Sequence, residues 1–291
     1  MDSTFLKGFL LTVETGSMSE AARRLDVTPA AIAQQIKSLE KILETALVMR
    51  SGRTVKPTAS GELLAQHAKP LIRGIEDLKS TINTNPLVGE FRLGSINTAL
   101  LSFLPLMLKQ FSETFPKAKI SIKAAHSSEL IRDVSNGDLD AAICLEPTFT
   151  LSKSLSWHEL LNEPLILIKP LAVKTDNPGE LIQTQTYIRY DRNLGGGKQA
   201  EQFLRKENLS PTEGFELSSL LSIALMVEAG LGVSIVPDIQ SSLIDKLSIK
   251  KIKLNDNSPT RSIGILSQKH SVKKELIDHL IASYRKLPRP S

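Results

Sequence analysis

The apolar positions of this chain keep two different rhythms. Over the first eighty residues they recur at helical spacing. Phe5, Phe9 and Val13, with Leu6 and Leu10, make one stripe, and Ala21, Ala22 and Leu25 make a second. Ile32, Ile36, Leu39 and Leu43, spaced four, three and four, make a third. The stripes predict helices over about 4–14, 18–25 and 29–43. Their ends carry matching punctuation. Ser17-Met18-Ser19-Glu20 reads as a capping box, in which a Ser hydroxyl and a Glu carboxylate satisfy orphan amides. Thr28 is a preferred N-cap, and Pro29 at the first helical position loses no bond. Residues 47–50 and 54–57 can pair across Ser51-Gly52-Arg53 as a small hairpin.

From Thr58 a longer stripe follows. Leu64, Ala68, Leu71, Ile75, Leu78 and Ile82 alternate spacings of four and three, the rhythm of a helix that faces a partner helix. The same stripe also suits a helix packed on its own chain. Pro70 removes one backbone bond and should bend this helix.

Beyond Glu90 short apolar runs alternate with amphipathic segments. Strands are predicted over 91–97, 119–124, 140–144, 164–169, 187–191, 232–236, 247–254 and 261–267, and helices over 101–115, 128–136, 198–207, 219–229 and 272–286. Strands alternating with helices imply an α/β fold with parallel, doubly wound sheets, here in two lobes with a cleft between them.

Composition adds limits. At 291 residues the chain is long enough for two or three units. Its 36 basic and 31 acidic residues, a net +5, leave room for a polyanionic partner without requiring one. The single cysteine, Cys144, excludes an internal disulfide and sits in an apolar run, where it reads most simply as a small core residue in a reducing compartment. The first residues lack the pattern of a secretory signal, and the longest apolar run, 217–236, is broken by Glu228, Gly230 and Gly232. A cytoplasmic protein with no membrane partner is expected.

Two helices joined by Asp26-Val27-Thr28 make a helix-turn-helix candidate. In that motif the second helix lies in the DNA major groove. Its early positions are Thr28, Pro29, Ala30, Ala33, Gln34 and Lys37. Gln34 is suited to a base edge, while Lys37 and Lys41 are suited to phosphates. Arg50, Arg53 and Lys56 on the hairpin suit a wing along the DNA backbone. The plainer reading is a small helical domain with a solvated basic face.

Signs of catalysis are missing. Gly195-Gly196-Gly197-Lys198 has neither the upstream glycine nor the following Ser or Thr of a phosphate loop, and reads as a flexible turn into a helix. His67, His126, His158, His270 and His279 are scattered without metal-ligand spacing. There is no Gly-x-Ser-x-Gly elbow, and Gly230-Leu231-Gly232 lacks the third glycine and the context of a dinucleotide site. No cofactor, no metal and no enzymatic activity are expected.

Many positions then agree in register with one family. Phe9, Gly16-Ser17, Ala21-Ala22, Leu25, Val27-Thr28, Ile36, Leu39-Glu40, Leu47, Arg50, Thr58 and Gly61 resemble the winged helix-turn-helix of LysR-type transcriptional regulators. The likeness continues in 89–94, Leu104-Pro105, Phe111, Pro116, 137–143 and 228–237. Departures from the family are Pro29-Ala30 for Gln-Pro, Ala33 for Ser, Glu44 and Val48 for Gly and Phe near the wing, and Pro57 for Leu. Ala33 offers at most apolar contact, for example to a thymine methyl.

The resemblance implies a DNA-binding domain over 1–58, a linker helix over 59–84 that dimerises through Leu64, Leu71, Ile75 and Leu78, and an effector domain over 90–291 similar to periplasmic solute-binding proteins. Its lobes are expected at 90–167 plus 268–291 and at 168–267. The implied effector site lies between the lobes, where Ser95, Asn97 and Thr98 follow the first strand, Ser127 and Ser128 precede a helix, and Arg189 and Arg192 follow a later strand. Helix starts there favour anions. The two arginines suit a carboxylate or phosphate of an anionic metabolite, unless Asp191 between them neutralises one. The implied partners are double-stranded DNA, a small effector, RNA polymerase and further copies of the chain as a homodimer or homotetramer.

Overall fold

The structure, a computed structural model, describes residues 2–52, 54–83, 90–255 and 258–287. The chain divides into two compact units. One is Met1–Glu90 with the short segment Asp133–Leu139, and the other is Phe91–Arg132 with Asp140–Ser291.

In the first unit, α1 (Ser3–Thr15), α2 (Met18–Leu25) and α3 (Pro29–Leu43) precede a hairpin of β1 (Val48–Ser51) and β2 (Thr54–Pro57), then α4 (Ala59–Asn83). The three apolar stripes meet in one core of Leu6, Phe9, Ala22, Ile32, Ile36, Leu39 and Leu47. Gly16 ends α1 in the left-handed conformation, with φ +66°. The capping box is half formed. Ser17 Oγ accepts from Glu20 N at 3.3 Å, but Thr15 Oγ1, not Glu20, takes the Ser17 amide. The Glu20 carboxylate turns to Arg23 and Arg24, which hold its pKa down to about 2.

Three contacts seat the hairpin. Val55 N donates to Gly16 O at 2.8 Å, Leu47 N to Glu40 Oε1 at 2.8 Å, and Thr58 Oγ1 to Ala46 O at 2.6 Å. Gly61 lies so close to Leu47 that a Cβ there would fall 2.0 Å from the Leu47 carbonyl oxygen. The long stripe on α4 divides. Ala68 and Ile72 are buried in the unit's own core, and Leu64, expected at a partner face, is packed against it too. Leu71 and Ile75 stay exposed. The side chain of Leu78 and the linker at 84–89 lie outside the described residues. The helix continues through Pro70.

The second unit contains β3 (Glu90–Ser95), α5 (Asn97–Leu101), α6 (Leu104–Thr114), β4 (Lys119–Ala124), α7 (Ser127–Ser135), β5 (Ala141–Leu145), β6 (Leu155–Pro170), α8 (Pro178–Thr184), β7 (Tyr187–Tyr190), α9 (Gly195–Lys206), β8 (Glu213–Leu217), α10 (Leu220–Glu228), β9 (Ser234–Pro237), β10 (Ile249–Lys253), β11 (Thr260–Gln268) and α11 (Lys274–Arg285). The helix expected over 101–115 starts later, as α6 at Leu104, and the short α5 before it was not expected. The first half of β6, all of α8 and all of β8 are additions to the expected elements.

The sheets are mixed rather than wholly parallel. β3 pairs with β5 and β7 with β8 in parallel, as the alternation predicts. β6 and β11 run antiparallel to each other, and β11 continues antiparallel onto β5. The second half of β6 pairs antiparallel with β9 and β10. One strand thus serves both lobes, and the expected boundaries move. Leu165 and Leu167 already belong to the second lobe's core, while β11 belongs with the first lobe's sheet.

Strand periodicity explains that core. Leu165 and Leu167 face Leu181, Ile182, Phe203 and Leu204 of α8 and α9, whereas Ile166 and Ile168 face Leu220, Ile223 and Val227 of α10. A strand covered by helices on both faces is apolar at every position. In the first lobe Phe91 stacks on Phe111 at 5.7 Å, and Phe115 meets the His279 ring edge-on at 4.9 Å. One of the scattered histidines is therefore a packing residue.

Candidate functional site

Two places in the chain gather the residues expected to meet another molecule. In the first unit, Thr28 Oγ1 accepts from Ala31 N at 3.2 Å and fixes the start of α3. Ile32, Ile36 and Leu39 anchor one face of α3 in the core. That leaves Pro29, Ala30, Gln34 and Lys37 exposed on the other, with Thr28 exposed at the cap and Ala33 half-buried. Lys37, Lys41, Arg50 and Lys56 have no acidic partner among the described residues, and the Gln34 amide makes no hydrogen bond among them. Arg53 lies outside the described residues. A helix with unpaired amide and amine side chains, beside a hairpin with unpaired cations, is equipped for base edges and phosphates.

In the second unit a cavity of about 460 Å³ opens between the lobes. Helix starts surround it. Asn97 and Thr98 come from α5, Ser127 and Ser128 from α7, Gly195 and Gly196 from α9, and Ser219 caps α10. Leu100, Leu101, Ile131, Phe149, Leu220 and Leu221 supply apolar wall. Four of the seven expected effector residues therefore line one cavity.

The other three do not. Ser95 is fully buried, with its hydroxyl on the Ile96 carbonyl. Arg189 is buried against Glu201 and Glu213. Arg192 pairs with Glu213 at 3.1 Å and Glu216 at 3.2 Å. Both arginines are neutralised by glutamates from α9 and β8, and β8 was not among the expected strands. Asp191, the suspected neutraliser, instead accepts from Asn193 N at 2.8 Å.

A buried basic residue in the cavity wall is one the sequence reading passed over. Arg261, 3% exposed, donates to Glu163 from Nε at 2.8 Å and from Nη2 at 2.6 Å, and to Thr98 Oγ1 at 3.0 Å. Burial pushes the Glu163 carboxyl up, and Arg261 opposes that shift. Burial likewise pushes up the Tyr190 phenol, and the charge of Arg261 opposes that shift. Partners 98 residues apart left no local signal.

The glycine run is not a flexible turn. Gly195–Gly197 form the first turn of α9. A Cβ at Gly197 would sit 2.0 Å from the Asp191 carbonyl oxygen, and one at Gly195 would sit 2.2 Å from a Leu145 methyl. Glycine is what lets this helix start lie against its neighbours. Cys144 is buried, and its thiol is pushed up to about 12 by desolvation. Among the described residues no cluster of His, Cys, Asp and Glu fits a metal ion, and no helix is long and apolar enough to cross a membrane.

Comparison with known proteins matches the two parts of the chain to two family models. Residues 4–62 match the model of the bacterial regulatory helix-turn-helix protein, lysR family, and residues 84–288 match the LysR substrate binding domain. The chain is 28% identical over 283 residues to YbhD, an uncharacterized HTH-type transcriptional regulator of Escherichia coli, covering 92% of this chain and 86% of that one. Full-length OxyR from Pseudomonas aeruginosa superposes with a TM-score of 0.71 at 22% identity, covering 98% of this chain and 95% of that one. LysG from Corynebacterium glutamicum, solved with its effector Arg bound, also gives 0.71 at 17% identity, with all of both chains covered. With a head whose recognition face is bare and a second unit built around a ligand-sized cavity, the chain belongs to the LysR family of DNA-binding transcriptional regulators with an effector-binding domain.

Proposed function

We propose that a symmetric dimer of this chain reads an inverted-repeat operator in the cytoplasm, and that a small ligand in the interlobe cavity changes how RNA polymerase is recruited there. The observation that carries the DNA half is the face of α3. Gln34 and Lys37 are exposed and uncommitted beside a hairpin whose Arg50 and Lys56 are also unpaired. Pairing two such heads on a two-fold axis sets the recognition helices on half-sites in opposite orientation. Leu71 and Ile75, exposed on α4 beyond the stretch spent on the head's core, support pairing through that helix. Effector domains can add a second interface and make a tetramer.

A ligand acts by binding one lobe closure or subunit arrangement more tightly than another. The cavity supports that role and not catalysis. Its walls are mainly apolar, and its arginine is spent on Glu163.

The test is a mobility shift of the full-length protein on DNA from upstream of its own gene. It is run against excess unrelated DNA at two salt concentrations, because backbone binding alone is strongly salt-dependent. A discrete complex that survives competition is expected. Binding that vanishes equally with any competitor would remove sequence specificity at that DNA from the reading.

A further inference from the structure

We propose that Arg261 is a positioning residue that couples the cavity to the hinge of the effector domain. It holds together the two strands that carry the chain between the lobes, and it reaches the cavity through Thr98. The proposal rests on the effector reading above and deepens it, from a site to the bond by which that site is read.

The hinge lies where the chain changes lobes, which it does twice. β6 pairs with β11 as far as Pro164, and with β9 and β10 from Leu165 onward. After β10 the chain returns, and β11 begins at Thr260, paired with Pro164. Leu165 N donates to Pro259 O at 2.8 Å, so the two crossings lie side by side. The next pair along the ladder is Glu163 and Arg261. Both side chains are buried, and two charge-assisted bonds join them across the strands. The pair therefore ties one crossing to the other.

Each lobe also grips the crossings. From the second lobe, Asp238 N donates to Pro164 O at 2.9 Å, and Gln199 Nε2 donates to Thr260 O at 2.9 Å. From the first lobe, Thr98 near the start of α5 accepts from Arg261 Nη2 at 3.0 Å. Of these groups only Thr98 and Arg261 line the cavity. Their bond is thus the one that joins the hinge to the space a ligand would fill.

The direction of the coupling follows from the hydroxyl. Thr98 Oγ1 accepts from Arg261 and donates to no group among the described residues, so its proton is left for a molecule in the cavity. Giving that proton to a bound acceptor makes the oxygen a stronger acceptor itself, because hydrogen bonds in a chain polarise one another. Glu163 holds the guanidinium by Nε and by the same Nη2, so the arm is not free to follow the ligand. Occupancy therefore tightens the bond to Thr98 and stiffens the hinge, and an empty cavity leaves it looser.

The test is hydrogen exchange of the full-length protein, read by mass spectrometry in fragments covering 161–168 and 236–240. These contain the amides of Leu165 and Asp238, which bond across the crossings. Thr98→Val keeps the side chain's shape and removes the hydroxyl, and Thr98→Ser keeps the hydroxyl. Arg261 stays in place, since its loss would strand a buried carboxylate. In Thr98→Val the hinge fragments are expected to exchange about tenfold faster, the worth of one bond to a charged group, while a fragment covering β7 keeps its wild-type rate. Thr98→Ser should match wild type. A hydroxyl with a merely structural role predicts faster exchange throughout the domain, and that uniform result would overturn the proposal. So would unchanged hinge exchange in Thr98→Val, or a Thr98→Ser that behaves like it. The effector reading fails by a different result. If a metabolite extract shifts operator affinity equally in wild type and in Leu221→Trp, which fills the cavity, the ligand acts elsewhere.

Discussion

Removing Arg261 should cost the effector domain several kcal/mol, by an amount that depends on pH. Glu163 is 3% exposed, and two hydrogen bonds from Arg261, at 2.8 Å and 2.6 Å, compensate its charge. Arg261→Met leaves a buried carboxylate alone, which costs about 3–5 kcal/mol. With a urea slope of about 2 kcal/mol per M, that moves the unfolding midpoint down by about 2 M. The sign with pH follows from the direction of the Glu163 shift. Burial raises its folded pKa above the ordinary 4.5, and nearby Asp238 raises it further, so the folded state holds the proton more tightly than the unfolded state. The stabilising effect of that proton is present below the unfolded pKa and is lost as pH rises through the folded one. Without Arg261, which pulls the pKa down, the window widens upward. The penalty of Arg261→Met should therefore be small in mild acid and grow towards neutral pH. Trp157, the chain's one tryptophan, sits on the same strand as Glu163 and reports the transition by fluorescence. Arg261→Met with Glu163→Leu should recover most of the loss. A midpoint shift that is equal at both pH values, or a double variant no better than the single, would refute the reasoning.

Four shorter predictions follow from the same geometry. Gln34→Ala should change relative affinities across operator variants, whereas Lys37→Ala should weaken all of them alike and lower the salt dependence; unchanged relative affinities for Gln34→Ala would remove its role as a base reader. Leu71→Asp changes a side chain that is 55% exposed in the isolated chain, so it should leave folding intact and weaken self-association through a charge buried at the helix pair, as sedimentation would measure. Cys144, with its pKa pushed up to about 12, should stay unreactive to thiol reagents at neutral pH until the protein is unfolded; rapid native labelling would show the site open. Glu44 ends α3 at φ +53°, where the family pattern has glycine, so Glu44→Gly should raise the head's stability by up to about 1 kcal/mol in thermal unfolding.

What could be read in the sequence was local. Stripes at 32, 36 and 39 with Thr28-Pro29 before them fixed α3 and its exposed face, because one turn of helix decides which side chains share a side. The half-formed capping box shows the limit even there. Glu20 had two arginines within one turn, and a charge-assisted pair drew its carboxylate away from an amide that Thr15 had already taken. The α4 stripe failed for a related reason. Periodicity says that a face is apolar and not what covers it, so Leu64, which packs on its own core, and Leu71, which faces out, looked alike.

The cavity's chemistry was set by contacts far apart in sequence. Arg189 and Arg192 were attractive because their charges seemed free, but the glutamates that hold them come from a helix expected to start three residues later and a strand not expected at all. Arg261 was passed over because its partner Glu163 lies in the half of β6 read as loop. The glycine run shows the converse error. It was dismissed for failing one phosphate-binding pattern, yet the property that mattered was more elementary. A helix start without side chains packs against Asp191 and Leu145, and Gly195, Gly196 and Lys198 line the cavity. A missing motif excludes one geometry of anion binding and says nothing of the close packing that a run without Cβ atoms allows.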